Sequence, residues 1–246
     1  MSKIMQFLPR RILVTGGAVR TGRAIVKLLA ERGAQVVIHA RVHRSEAEDL
    51  LSLLSGRGHS VIYGDLSDDR DVERIADAAS KCDGVVLNAS CYRHGYQGGD
   101  AEFDALLEKV NHASQVKIIR GFLSAPHPDG GAVVAMLDQE TASENDNPYL
   151  ASRRALWLDM KKFAVEYGKD DIRFNALLPG PMLPPPELGD TRMVKTLPSL
   201  PLRRSVALED AAESVAFLLA CRSLTGTVLF ADCGQSLANR IKSNMI

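Results

Sequence analysis

A chain of 246 residues, 46% of them hydrophobic, is long and apolar enough to bury a core, which excludes a disordered protein. Lysine plus arginine and aspartate plus glutamate balance at 30 each, so no overall field draws in nucleic acid or an anionic membrane, and a small neutral partner or a locally recognised anion fits better. No apolar run reaches the roughly eighteen residues of a membrane span, MSKIMQFLPR lacks a signal-peptide core, and Cys82, Cys91, Cys221 and Cys233 show no Cys-x-x-Cys spacing; a cytoplasmic protein with reduced thiols is expected.

The first element read along the chain is a strand at Arg11 to Thr15, followed by a glycine turn from Gly16 to Gly22 and an amphipathic helix through Ala30. Gly33 ends that helix and Gln35 to His39 supplies a second strand. Such a βαβ unit presents a glycine turn and a helix N-terminus to a phosphate, so nucleotide binding is expected here. At the tip of the second strand an NAD site would carry Asp or Glu. The sequence instead reads Arg41-Val-His43-Arg44-Ser45, whose cations and hydroxyl suit a 2′-phosphate and predict NADPH.

Strands and helices continue to alternate: a helix over about 45–54, a strand over 60–63, Asp65-Leu66, a helix over about 68–80, and a strand over 85–87 that ends on Asn88-Ala89-Ser90. This order predicts a single α/β domain, a Rossmann-type doubly wound parallel sheet with helices on both faces and ligands gathered at the strand ends. Asp65 reads equally as an adenine partner or as a cap for the helix that follows. The loop from Cys91 to Gly99 contains Tyr92, an aromatic able to stack on a flat ring.

Two helical stretches follow, about 101–108 and 111–123. Asn111 stands where an apolar face would begin, either as a backbone tie or as part of a water relay. A turn at 126–131 precedes a strand over 132–137 that delivers Asp138. Asn147-Pro148 is a strong helix start, with the amide as cap and proline in the first turn. Tyr149 and Arg153, four apart on this helix, share a face, which places a phenol beside a permanent cation and suggests acid chemistry; a surface pair is the alternative reading.

A strand over 172–178 ends at Pro179-Gly180-Pro181. Beyond it a proline-rich insert over about 181–202, carrying Met182, Leu183, Leu188 and Met193, reads as a substrate lid or an oligomer contact. A helix over 208–220 and a strand over 227–231 complete the chain. The histidines lack metal-ligand spacing, and no carboxylate pair of the hydrolytic kind is present.

Taken together, Thr15-Gly16 through Gly22, Asp65-Leu66, Asn88-Ala89, Asn111, Tyr149 with a cation four residues on, and Pro179-Gly180 resemble the short-chain dehydrogenase/reductase family over nearly the whole chain. Within it the sequence is most similar to pteridine and dihydromonapterin reductases. Arg20 replaces the middle glycine, Asn88-Ala-Ser90-Cys-Tyr92 replaces Asn-Asn-Ala-Gly, Asp138 replaces the usual serine, and Gly234-Gln235-Ser236 also fits that branch.

The resemblance implies an NADPH-dependent reductase, with Tyr149 as proton donor assisted by Asp138, Arg153 on the nicotinamide ribose and Asn111 serving a relay water. Thr15, Gly16, Arg20, Thr21, Gly22, Arg41, His43, Arg44, Ser45, Asp65, Leu66, Asn88, Ala89, Ser90, Pro179 and Gly180 would bind the cofactor. Arg20, Ser90, Tyr92, Asp138, Tyr149, Pro181, Met182 and Leu183 would line the pocket, with a pterin between the nicotinamide and the Tyr92 ring. A homotetramer is implied as well. Arg153 departs from the family lysine, so a ketone reductase and a non-catalytic NADPH- or pterin-binding protein stand as alternatives.

Overall fold

A computed structural model describes residues 8–142, 147–183 and 196–238. Seven parallel strands, β1 (Arg11–Val14), β2 (Gln35–Ala40), β3 (Ser60–Tyr63), β4 (Gly84–Leu87), β5 (Gly131–Met136), β6 (Ile172–Pro179) and β7 (Val228–Ala231), form one sheet in the order β3-β2-β1-β4-β5-β6-β7. β4, β5 and β6 are buried at every position because helices cover both faces, which is why β4 and β5 read as unbroken apolar runs, while β6 also buries Arg173 and Asn175.

Helices α1 (Arg20–Glu31), α2 (Arg44–Leu53) and α7 (Leu208–Ala220) pack on one face around Ile25, Leu29, Leu50 and Val215. The other face carries α3 (Asp69–Ala79), α4 (Ala101–Glu108), α5 (Ser114–Leu123) and α6 (Pro148–Glu166) around Ile75, Ile118, Phe122 and Met160. The strand order reverses between β1 and β4, so the loops after these strands part and leave a crevice at the carboxyl end of the sheet. Among the described residues no helix is long and apolar enough to cross a membrane.

Two local readings change. The helical stretch expected to begin at Asn111 is instead joined to α4 by a π turn, Lys109–Ala113, with Asn111 fully buried in it. Asp65 does not cap α3: Asp68 does, accepting from the Arg70 and Asp71 amides, while Asp65 turns back to take the Ser67 amide at 2.8 Å. Most of the expected insert, including Leu188 and Met193, lies outside the described residues; Pro181, Met182 and Leu183 lie within them.

Candidate active site

At the crevice the turn after β1 is shaped by close backbone approaches. Gly22 is buried against the Gly16 carbonyl, where a β-carbon would collide, and Gly16 itself holds φ of +62°. Thr15 lies under the turn, not at its surface: its hydroxyl accepts from the Asn88 and Ala89 amides, both at 3.0 Å. Asn88 returns the contact, donating from Nδ2 to the Thr15 and Gly16 carbonyls at 3.0 Å each. These two residues therefore knit the ends of β1 and β4 together. Val19 offers α1 no side-chain cap, which leaves first-turn amides for an anion.

Arg20 occupies the left-handed region at φ +51°, a conformation that costs a non-glycine residue about 1 kcal/mol. It stands on the cavity wall at the first turn of α1, where a cation could meet an anion. Arg20→Gly is expected to leave stability unchanged or raise it by up to ~1 kcal/mol while weakening NADPH binding about tenfold. Thermal denaturation beside cofactor titration checks both halves; equal affinity would remove Arg20 from the phosphate site.

A cavity of about 560 Å³ runs along the crevice. Gly16, Arg20, Thr21, Gly22, Arg41, His43, Asp65 and Leu66 border one part of it, and Asn88, Ala89, Ser90, Tyr92, Tyr149, Arg153, Pro179 and Met182 border the rest. Thr15, Arg44, Ser45, Asn111, Asp138, Gly180, Pro181 and Leu183 are not on its wall. Gly180 still shapes it, lying so close to the Asp232 backbone that a side chain could not be inserted. Residues 233 and 234 both hold positive φ, so Cys233 retains a backbone suited to glycine. His39, Met136 and Leu137 border the cavity without having been expected to. Only a histidine in an otherwise apolar strand hinted at the first of these.

At the ribose end the expected basic cluster is already engaged. Arg41 pairs with Asp65 at 3.5 Å, and the Arg44 guanidinium lies 4.3 Å over the Tyr63 ring, on the outer side. His43 Nδ1 and Ser45 Oγ both contact the Glu46 carboxylate at 2.9 Å. The His43 contact first, then hydrogen bonds from the Glu46 backbone and Ser45, hold that carboxyl down at about 2. Glu46 thus occupies donors that a 2′-phosphate would use. Glu46→Gln is expected to raise NADPH affinity about fivefold without changing that for NADH, by removing a like charge from an exposed site. Parallel titration of the two cofactors is the check, and an unchanged NADPH affinity would deny the competition.

On the opposite wall, Asn147 caps α6 by accepting the Leu150 amide at 2.9 Å, with Pro148 in the first turn. The cap fixes where Tyr149 enters the cavity. Tyr92 meets it edge-on, ring centroids 5.0 Å apart at 69°. Burial pushes the Tyr149 phenol well above its usual value; Arg153 opposes this and the Asp138 charge adds to it. Asp138 is half-buried and accepts the Glu140 amide at 2.8 Å at the head of a short 3-10 helix, Gln139–Ala142. Its negative charge reaches Tyr149 and makes ionisation of that phenol harder.

Arg153 is 1% exposed, and burial lowers its pKa while Tyr149 and Asp138 oppose the shift. Its Nη2 donates to the Met136 carbonyl, but Nε and Nη1 are buried without an acceptor among the described residues. Two orphan donors on the cavity wall match the hydroxyl groups of a cofactor ribose. Asn111 makes a backbone tie: Oδ1 accepts from the Cys91 amide at 2.7 Å, and Nδ2 donates to the Cys91 carbonyl at 3.0 Å and to Ser152 Oγ at 3.3 Å. It secures the start of the Tyr92 loop.

The profile of the enoyl-(acyl carrier protein) reductase family matches residues 18–236. A glucose 1-dehydrogenase of Gluconobacter oxydans is 28% identical, covering 97% of this chain and 96% of its own. L-xylulose reductase of Bos taurus is 31% identical over 92% and 96%. Among solved structures, FolM alternative dihydrofolate reductase 1 from Brucella suis, in complex with NADP, superposes with a TM-score of 0.85 at 31% identity, covering 92% of this chain and 95% of that one.

Proposed function

The chain belongs to the short-chain dehydrogenase/reductase family, as an NADPH-dependent oxidoreductase acting on a small molecule, and from that premise we propose that its substrate is a pterin or a similar flat heterocycle. The observation that carries this reading is the aromatic wall made by Tyr92 beside the Tyr149 phenol, which suits a planar ring presented edge-first to a proton donor. The alternative dihydrofolate reductase likeness from Brucella suis supports it.

NADPH supplies the hydride. Arg20, Thr21 and the uncapped first turn of α1 would hold its diphosphate, Arg41 and His43 its 2′-phosphate, and Arg153 its nicotinamide ribose through Nε and Nη1. Tyr149 gives its phenolic proton to the substrate nitrogen or carbon that becomes basic as hydride arrives. Arg153 then stabilises the phenolate left behind, since its charge is the one that favours ionisation of that ring. Asp138, just off the cavity wall, would act through its charge on the Tyr149 phenol. The Tyr92 loop, tied by Asn111, and Met182 on the cavity wall would border the substrate.

A second reading, reduction of a sugar-like ketone, is favoured by the 31% identity to L-xylulose reductase. The two separate in an assay of NADPH oxidation with a panel of dihydropterins and dihydrofolate beside ketoses and cyclic ketones. The pterin reading expects kcat/KM for a dihydropterin to exceed that for every ketone by at least about tenfold, a margin that ring stacking and paired N–H contacts supply. Turnover of ketones alone would establish the other. We also read the chain as a cytoplasmic homotetramer; Leu158 at 52% and Val165 at 86% exposure on the outer side of α6 support an intersubunit face.

A further inference from the structure

His39 is 2% exposed, lies in β2 and has no part in the chemistry above. Both amides of the Gly16-Gly17 turn end on it: Gly16 N–H donates to its Nδ1 at 3.1 Å and Gly17 N–H to its backbone carbonyl at 2.9 Å. On the ring's other side, Nε2 lies 3.0 Å from the Gly64 carbonyl, next to Asp65. A backbone amide can only donate and a carbonyl can only accept. Nδ1 is therefore bare and Nε2 carries the proton; the ring is neutral, in one tautomer.

We propose that His39 is a positioning residue for the cofactor: its neutral Nε2–H imidazole pins the phosphate turn after β1 to the corner after β3, so dinucleotide affinity depends on that protonation state. A second proton would place an N–H on Nδ1 facing the Gly16 N–H, and the turn would have to leave β2 or the ring rotate. Asn88 Nδ2 holds the Thr15 carbonyl, on the far edge of the peptide that carries the Gly16 N–H, and the Gly16 carbonyl, so moving that amide strains these bonds as well. The charged groups facing the ring are Asp65, after β3, and Asp71, on α3. Burial lowers the His39 pKa and outweighs the Gly64 contact and these two carboxylates, which raise it. A depressed value means that the neutral form dominates at neutral pH and that the contribution is lost as pH falls through it.

The test is NADP+ affinity from pH 5 to 8 for otherwise identical proteins carrying His39, His39→Phe or His39→Gln. All carry His43→Gln, which removes the second histidine on the cavity wall. Titration of the cofactor's 2′-phosphate is common to all three and cancels in their ratios. The expected result at pH 7.5 is binding weakened about tenfold by His39→Phe, with kcat at saturating cofactor within about threefold of the parent. The ratio of affinities should shrink at any pH low enough to protonate the parent's imidazole, because only the parent loses a neutral ring. Imidazole ¹⁵N spectra of the natural protein decide the matter without any variant and are expected to show an unprotonated Nδ1 and a protonated Nε2. An affinity ratio near one at pH 7.5, a loss of thermal stability alone, or a protonated Nδ1 at pH 7.5 would overturn the proposal. Failure of the natural protein to bind NADP+ at all would instead remove the cofactor reading on which it rests.

Discussion

Tyr149→Phe is expected to lower kcat by about 10²–10⁴ while leaving NADPH affinity within about twofold, the range over which a positioned general acid acts. The ring stays: phenylalanine keeps the edge contact with Tyr92 and the register of α6. Only the proton is lost. Because burial raises the phenol's pKa, the donor remains protonated through neutral pH, and reduction by the natural enzyme should fall only as alkaline pH strips that proton. The pH–rate profile of kcat measures this. A phenylalanine variant keeping more than about a third of kcat would transfer the proton-donor role elsewhere.

Arg153→Met is expected to raise thermal stability and abolish useful activity together. A guanidinium at 1% exposure with two unpartnered nitrogens is an expensive group to bury, and a methionine of similar length fills its place without a charge. Losing the bond to the Met136 carbonyl offsets part of the gain, so a net rise of about 1–2 kcal/mol, or roughly 2–8 °C in Tm, is the expected size. At the same time kcat/KM should fall by at least about a hundredfold, since the Arg153 charge is what opposes the burial that holds the phenol protonated. Arg153→Lys retains the charge and should keep more activity than the methionine variant. Differential scanning calorimetry beside steady-state kinetics reads both effects. A variant that melts earlier and turns over normally would make Arg153 a structural residue.

The order of strands and helices was legible because each signal was local. The glycine turn after β1, the basic tip after β2 and the Asn147-Pro148 start each announced themselves within a few residues. So did the pairing of Tyr149 and Arg153, which follows from helical spacing alone. What escaped depended on distant partners. Thr15 looked like a cofactor contact until the burial of its hydroxyl against the amides after β4 became visible, and Asn111 acquired its role from Cys91 across a π turn. Local competition was also hard to read. Glu46, the next residue after the predicted phosphate site, takes His43 and Ser45, and Asp68 supplies the helix cap that Asp65 could have provided. Arg20 shows the converse: the backbone demanded by a glycine persists when the glycine does not.

The stitches between Thr15 and Asn88 join positions 73 residues apart in the chain. The phosphate turn is therefore not a module that its own βαβ unit can finish. As the polypeptide leaves the ribosome, β1, α1 and β2 emerge long before β4, and until β4 docks beside β1 the Asn88 amide is absent from the turn it clamps. Cofactor capture is thus a late event in the life of the nascent chain. A truncated product stopped before Asn88 would carry the entire glycine fingerprint and still lack the clamp that gives it shape.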